Sequence, residues 1–452
     1  MKIDAGTYPV FKKSIYKNPD GGIVLPKDMW RESYNLYKSV SVAELNPADT
    51  TLWGRLNPFG ARLLLECNGE KTIEEIAKSI YREESEQFRD SILNFFENAS
   101  LKFEMDFLEE PASREVTCCG TFDCYYPLRV LTEVTTRCNL QCKHCAVSAG
   151  TAGGTDMKKE DLFGLVETLS DNGTRDFEIT GGEPLLRKDI FNIIDKCCDR
   201  FYEVILATNG TLITREVAKS LAELTNLLVQ VSLDSYDPAS HDRFRGVNGA
   251  HNKAVQGIYN LISEGIFTRV EVTITQDTIG DFEEILLFAN ELGVRGINFD
   301  IARDTGRGRE LGVNPDDALR WIKEIDEVAE KYANLLSIFY ERTRSEFTSR
   351  DCGAGRTMWV VGPTGNLRPC TYLNEDYLVC GNLLKDEFHS AFSGERASIF
   401  SKIRFPSKEI CGDCTYLLHC DKCFCNGVLM YRRLGDTCTW GKVMRIKEWV
   451  NV

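Results

Sequence analysis

The sequence predicts an α/β protein: a partial (β/α)6 TIM barrel over residues 128–335, preceded by a winged-helix domain over 1–110 and followed by a cysteine-rich domain over 336–452, with 111–127 as a linker. Three observations predict it. Apolar, β-branched runs alternate with helix-period segments through the middle of the chain. The texture before residue 110 is mostly helical. The 18 cysteines are spread unevenly, none of them between 199 and 351.

The expected barrel strands are Leu128–Thr135, Phe177–Thr180, Val204–Thr208, Leu227–Leu233, Val270–Thr275 and Ile297–Ile301. Between them, Asp161–Leu169, Ile190–Cys197, Glu216–Leu224, Ala254–Ile262 and Phe282–Leu292 carry apolar residues at helical spacing. Strands joined by helical crossovers imply a parallel sheet, and parallel barrels bind ligands at the carboxyl ends of their strands. Before residue 110, Ile73, Ile76, Ala77 and Ile80 form one helical stripe, and Phe88, Ile92, Phe95 and Phe96 another, after a hairpin-like stretch. A strand at Leu101–Phe107 is expected to close this block. A DNA-binding helix-turn-helix is the alternative to a peptide-binding winged helix. Residues 71–110 hold 11 acidic and 5 basic side chains, which disfavours DNA, whereas a strand edge beside a helix accepts an extended peptide.

Size and charge narrow the function. A chain of 452 residues buries a large core, and 43% hydrophobic with 27% charged residues is ordinary globular composition. The formal charge of −14 repels nucleic acid and anionic membranes. No stretch approaches the roughly 18 consecutive apolar residues of a membrane span, and the first residues carry lysines without an apolar signal core. The expectation is a soluble, cytoplasmic protein, where clustered thiols hold metal more often than they form disulfides.

After the first strand the chain reads Arg137-Cys138-Asn139-Leu140-Gln141-Cys142-Lys143-His144-Cys145. Three thiolates in a C-x3-C-x2-C loop can each bind one iron of a cubane, leaving the fourth open to an amino-acid-like chelate. A buried helical face of small apolar cysteines is the bland alternative, and the charged and polar neighbours argue against it. Gly181-Gly182-Glu183-Pro184 ends the second strand, Thr208-Asn209-Gly210 the third and Ser232-Leu233-Asp234 the fourth, with Arg245 downstream.

This constellation resembles the radical S-adenosylmethionine (SAM) family. The resemblance implies a 4Fe-4S cluster on Cys138, Cys142 and Cys145, with SAM chelating the open iron. It implies that Gly181, Gly182 and Glu183 receive the SAM amino group, and that Ser232 and Arg245 contact its carboxylate or ribose. Arg245 as an ordinary surface salt-bridge partner is the rival reading. The implied chemistry is reductive cleavage of SAM to methionine and a 5'-deoxyadenosyl radical, which abstracts a substrate hydrogen.

A second cysteine field holds Cys352, Cys370, Cys411, Cys414, Cys420, Cys423, Cys425 and Cys438. It resembles the SPASM extension of radical SAM enzymes, which implies two auxiliary iron–sulfur clusters and three clusters in all. By the family's interleaved ligation, Cys411, Cys414, Cys420 and Cys438 hold the outer cluster, leaving Cys352, Cys370, Cys423 and Cys425 for the inner one. A four-thiolate zinc ribbon on Cys411, Cys414, Cys420 and Cys423 is the competing reading. The sequence departs from the family's C-x3-C after Cys420: Phe424 stands between Cys423 and Cys425, and one or both thiols bind. Cys380, in a strand-like Leu378–Asn382 context, and Cys67, Cys197 and Cys198 read as buried and inert, whereas Cys118, Cys119 and Cys124 read as incidental linker thiols.

The N-terminal block, including Leu56-Asn57-Pro58 and Cys67–Thr72, resembles the peptide-recognition element of enzymes that modify ribosomally made peptides. From about residue 128 onward the chain resembles the subtilosin-maturing thioether synthases (sactisynthases), on Glu178–Glu183, Gly306-Arg307-Gly308-Arg309, Tyr340-Glu341-Arg342 and Asp351–Gly355. That resemblance implies a precursor peptide bound through its leader, a Cys thioether crosslink, excess electrons leaving through the auxiliary clusters, and a reductant such as flavodoxin or ferredoxin. Carbon–carbon crosslinking or epimerisation of a peptide, sulfatase maturation and electron carriage are the alternatives. Arg307 and Arg309 are either peptide or cofactor contacts or part of a solvated turn. No catalytic base is identifiable from the sequence.

Overall fold

A computed structural model describes residues 3–25, 54–80, 86–103, 105–150, 154–311, 313–332, 335, 337–340 and 352–451. The Phe88 side chain and residues Glu341, Arg342 and Asp351, which the sequence reading uses, lie outside the described residues. The described residues fall into two compact units, one within the first 126 residues and one from Pro127 onward.

In the first unit, β1 (Tyr8–Phe11) is followed by β2 (Ser14–Asn18), β3 (Gly21–Leu25) and β4 (Gly54–Leu56). Helices Pro58–Leu65, Ile73–Ile80 and Glu86–Lys102 come next, then β5 (Met105–Leu108) and β6 (Cys118–Gly120). The helix starts are written in the sequence. The Asn57 side chain accepts from the Gly60 N–H at 2.7 Å, with proline in the first turn. Thr72 and Glu75 form a reciprocal capping box, at 3.2 and 2.8 Å. Ile73, Ile76, Ile92 and Phe96 are buried with Ile15, Val24 and Leu64 in one core, as the two stripes predict.

Three details differ from expectation. The last helix runs through Lys102, so the closing strand is the shorter β5, paired antiparallel with β1. Residues 118–120 are not linker: they form β6, which pairs parallel with β2. Cys124 is buried.

The second unit is built on β7 (Arg129–Thr135), β8 (Asp176–Gly181), β9 (Glu203–Thr208), β10 (Leu227–Ser232), β11 (Phe267–Ile274) and β12 (Gly296–Ile301). Neighbours pair in parallel and in chain order, each strand within a few residues of its predicted bounds. The barrel is open: β13 (Ser337–Tyr340) extends the sheet beside β12, while β14 (Met358–Val361), β15 (Asn366–Arg368) and β16 (Gly381–Asn382) extend it beside β7. The expected boundary at 335/336 therefore does not separate two compact units, because strands from both sides of it share one sheet. The strand foreseen around Cys380 is only the two residues of β16.

Alternation along the strands sets two faces. Val130, Phe177, Ile179, Val204, Val229, Val231, Val270, Val272, Ile297 and Phe299 are at most 1% exposed. Arg129, Glu133, Glu178, Gln230, Arg269, Glu271, Asn298 and Asp300 stand on the opposite, interior face, so the barrel is polar inside. A helix the sequence reading did not assign, Pro238–Arg245, follows β10 and ends at Gly246 with φ 77°. A Cβ there would meet the Gln141 carbonyl at 2.7 Å, so glycine is needed on both counts. No helix among the described residues is long and apolar enough to cross a membrane.

Candidate radical site and cluster ligands

The loop after β7 brings Cys138, Cys142 and Cys145 into one cluster with Leu140 and Ala149. Each sulfur has a donor aimed at it. The Leu140 N–H points at Cys138 Sγ (3.4 Å), the Ala149 N–H at Cys145 Sγ (3.3 Å) and Arg245 Nη1 at Cys142 Sγ (3.7 Å). Donors on sulfur are what iron-bound thiolates need and neutral buried thiols do not, so the residues present fit a cluster. Without iron, burial is the main influence on Cys138 and pushes its thiol up to about 11; burial also raises Cys142, against the opposing pull of Arg245. Bound iron would hold all three as thiolates. Among the described residues no group of three or more His, Cys, Asp or Glu is set to hold a single metal ion. A cubane instead spreads its thiolates over separate irons.

Two further segments fix this loop. Gly182 and Glu183 donate their N–H groups to the Thr135 and Arg137 carbonyls at 2.7 and 2.8 Å. A Cβ on Gly181 would meet Thr135 O at 2.4 Å and one on Gly182 would meet Arg137 O at 2.0 Å. The glycines thus permit a close approach to the chain's own cysteine loop. Gly182→Ala should displace the loop at an overpacking cost of about 1–3 kcal/mol. The expected result is at least a tenfold loss of 5'-deoxyadenosine formation with the circular dichroism spectrum unchanged; retention of wild-type cleavage would show that the backbone yields instead.

The Glu183 carboxylate is 0% exposed and accepts from the Thr208 hydroxyl (2.8 Å), the Asn209 N–H (2.8 Å) and the Leu185 N–H (3.1 Å). Burial raises its pKa while these donors lower it. The side chain therefore locks β8 to β9, and the half-buried Gly181 and Gly182 are the parts of this turn that face outward. Asn209 reaches back to Asn139 at 2.8 Å, tying β9 to the cysteine loop.

Arg245 is not a surface ion-pair partner. It is 6% exposed and forms a two-point pair with Asp234, itself 0% exposed, at 2.5 and 3.0 Å. Burial is the largest influence on Asp234 and opposes its ionisation, but Arg245, His144 and His241 together outweigh it and hold the carboxyl below the usual range. Beside this pair, His144 stacks on Phe244 with ring centroids 4.5 Å apart, and burial lowers its pKa to about 3. Burial likewise lowers His241 to about 4. Ser232 is half-buried at the end of β10. Within the Gly-Arg-Gly-Arg run, Arg307 is not solvated, since it donates to the Cys142 and Ala149 carbonyls at 2.8 and 2.7 Å, whereas Arg309 is exposed. Arg309 reaches the Tyr377 hydroxyl at 3.3 Å.

In the second cysteine field, Cys420 has Cys423, Cys438, Cys414 and Cys411 as its electrostatic neighbours, a grouping that contains the members of the expected outer set and Cys423 alike. Cys425, 1% exposed, is hydrogen-bonded with Cys370 and also senses Cys423. Cys352 is tied to the same turn, its N–H donating to the Lys422 carbonyl at 3.3 Å. Phe424 turns the other way, fully buried against Phe400 and Trp440, which is why thiols flank it on both sides. Cys423 stands between the two sets. The thiols of Cys67, Cys197 and Cys380 are buried and raised by burial, while Cys198 is only half-buried and is raised to about 12.

A cysteine-triad loop at the mouth of a parallel barrel, followed by a second thiol field, is the part of the chain that two family models match. Residues 132–289 match the Radical SAM superfamily and residues 352–415 the SPASM iron–sulfur cluster-binding domain, so the chain carries both domains. The antilisterial bacteriocin subtilosin biosynthesis protein AlbA of Bacillus subtilis (strain 168) is 28% identical over 98% of this chain and 98% of its own. An AdoMet-dependent heme synthase of Nitratidesulfovibrio vulgaris is 27% identical over 64% of this chain and 85% of its own. In fold the chain is similar to Streptococcus suis SuiB, solved bound to its precursor peptide SuiA, with a TM-score of 0.63 and 15% identity over 95% of this chain and 97% of that one.

Proposed function

We propose that the chain is a radical SAM maturase of a ribosomally synthesised peptide and forms a sactionine-type Cys thioether. The single observation that supports this best is the end-to-end extent of the similarity to AlbA, 98% of both chains, against 64% of this chain for the heme synthase. When bound, the cluster and SAM supply the 5'-deoxyadenosyl radical that takes a hydrogen from the peptide. Cys138, Cys142 and Cys145 hold that cluster, while Arg245 and Arg307 fix their loop. Gly181, Gly182 and Ser232 offer the backbone and hydroxyl groups that receive SAM at the strand ends. The two thiol sets of the second field would hold auxiliary clusters, which would supply an electron acceptor beside the barrel. The first unit holds the leader.

Anaerobic incubation with SAM, a strong reductant and a short cysteine-containing precursor peptide that carries a leader tests this. The expected product is lighter by two hydrogens and has lost one alkylatable thiol. An unchanged mass, or a loss of two hydrogens with every thiol still alkylatable, rejects the thioether. If the leader delivers the substrate by raising its local concentration, a core peptide without its leader should react on the order of 100-fold more slowly at micromolar concentration. It should recover at millimolar concentration. Equal rates at both concentrations would remove the recognition role.

A further inference from the structure

Among the described residues, four carboxylates in and at the mouth of the barrel are paired with arginine, and Glu271 is held differently from these four. Glu133 pairs with Arg368 at 2.5 Å, Glu178 with Arg129 at 2.5 Å, Asp234 with Arg245 at 2.5 Å and Asp300 with Arg303 at 2.5 Å. Glu271 is instead held by a neutral group, the Asn298 side-chain amide, at 2.6 Å. It sits on the interior face of β11, because Val270 and Val272 on either side of it are 0% exposed on the other face. Strand register places it opposite Ser232 at the carboxyl end of β10 and opposite Asn298 on β12. It is half-buried, whereas Glu178 below it is buried.

The wall beside Glu271 leads to the second thiol field. Asp300, on the next strand, accepts from the Tyr372 hydroxyl, two residues past Cys370. Arg303 pairs with Asp300, stacks over the Tyr372 ring at 4.0 Å and donates to Asn426 at 3.1 Å, next to Cys425. Glu271 thus lies between the strand end of the radical site and the wall of the inner auxiliary set.

We propose that Glu271 is a catalytic base: its carboxylate accepts the S–H proton of the peptide cysteine, the S–H bond breaking as a carboxyl O–H bond forms, with no electron transferred in this step. The product is a thiolate, the form of sulfur that bonds to carbon. This rests on the thioether reading above and supplies the base that reading lacks.

The surroundings suit the role. Burial raises the Glu271 carboxyl most, to about 7, with Asp300 on β12 and Glu178 on β8 adding to the rise and Asn298 and Arg269 opposing it. Arg129 on β7 and Glu203 on β9 face Arg269 in turn, and Tyr372 faces Glu271 from the loop after β15. A carboxylate of ordinary pKa, near 4, is a poor match for a thiol near 8.5, and one near 7 is a close match. Because the acid form dominates below the raised pKa, the base should be lost as pH falls through about 7 and fully present above it.

Glu271→Gln keeps the shape and an acceptor for the Asn298 amide. In the full chain with its clusters loaded, it should lower thioether formation about 100-fold while 5'-deoxyadenosine still forms from SAM. Its rate should climb about tenfold per pH unit toward the pKa of the peptide thiol, whereas the wild-type rate levels off above pH 7. Glu271→Asp should restore part of the rate. The infrared difference spectrum of wild type minus Glu271→Gln should show a protonated carboxyl band that titrates near pH 7.

A wild-type rate and pH profile in Glu271→Gln overturns the proposal. So does loss of 5'-deoxyadenosine with clusters intact, which would place Glu271 in the cofactor site, and so does a band titrating near pH 4. If the wild type itself makes no thioether, the underlying reading fails and takes this one with it, and the product mass distinguishes the two failures.

Discussion

Alanine at Cys138, Cys142 or Cys145 is expected to take 5'-deoxyadenosine formation below detection, the largest single effect foreseen for this chain. Each sulfur has its own hydrogen-bond donor and each would take a different iron, so none substitutes for another. Changes that only orient a metal ligand typically cost about 10–100-fold, and losing the ligand costs more. Iron content should fall by one cluster's worth, leaving the signals of the auxiliary clusters in the electron paramagnetic resonance spectrum. Cys197→Ala is the control: that thiol is 0% exposed on the helix Ile190–Arg200, away from the strand ends, so only packing is lost. A peptide still crosslinked by the triad variants would refute the assignment of the radical site.

What the sequence made legible follows from which forces were local. Strand and helix positions from β7 to β12 were readable because the face toward the surrounding helices alternates apolar residues at the strand period, and the intervening helices repeat at theirs. The grouping of Cys138, Cys142 and Cys145 was readable because it depends on spacing along the chain. What was missed depends on register between distant segments. Asp234 was visible only as the end of a Ser-Leu-Asp run, and its pairing with Arg245 needs the unassigned helix Pro238–Arg245 to fold back. Arg307 looked exposed because glycines flank it. In the structure those glycines are what let its loop lie on the cysteine loop, since a Cβ on Gly306 would meet the Ala146 carbonyl at 2.3 Å. Glu183 has the residue type of an ammonium acceptor, and its hydrogen bonds from Thr208 and Asn209 on the next strand could not be read from the sequence. The interior position of Glu271 could be found from alternation along β11. Its contrast with the arginine-paired carboxylates could not, because each of those partners comes from a different segment.

The second large effect concerns the Asp234–Arg245 pair and separates stability from chemistry. Asp234→Ala should destabilise the second unit by about 3–5 kcal/mol, because it leaves a guanidinium buried without its counter-ion. At the usual entropy of unfolding per residue this is a fall of roughly 6 °C in Tm for a unit of this size. Asp234 also accepts the Thr273 N–H at 3.0 Å, so β11 loses an anchor as well. The pH dependence follows from the lowered carboxyl: the stabilisation is fully present above the ordinary carboxylate pKa of about 4 and is lost only as pH falls through the lower folded value. At neutral pH the pair is therefore constant, and any pH effect there has another source. Removing both charges, as Asp234→Ala with Arg245→Met, should return most of the lost Tm, since no buried charge is left unpaired. It should not return 5'-deoxyadenosine formation, because the donor to Cys142 Sγ is gone with the guanidinium. Recovery of both would make Arg245 a packing residue; recovery of stability alone would make it a positioning residue of the cluster loop, read independently as a shift in the reduction potential of the Cys138–Cys142–Cys145 cluster.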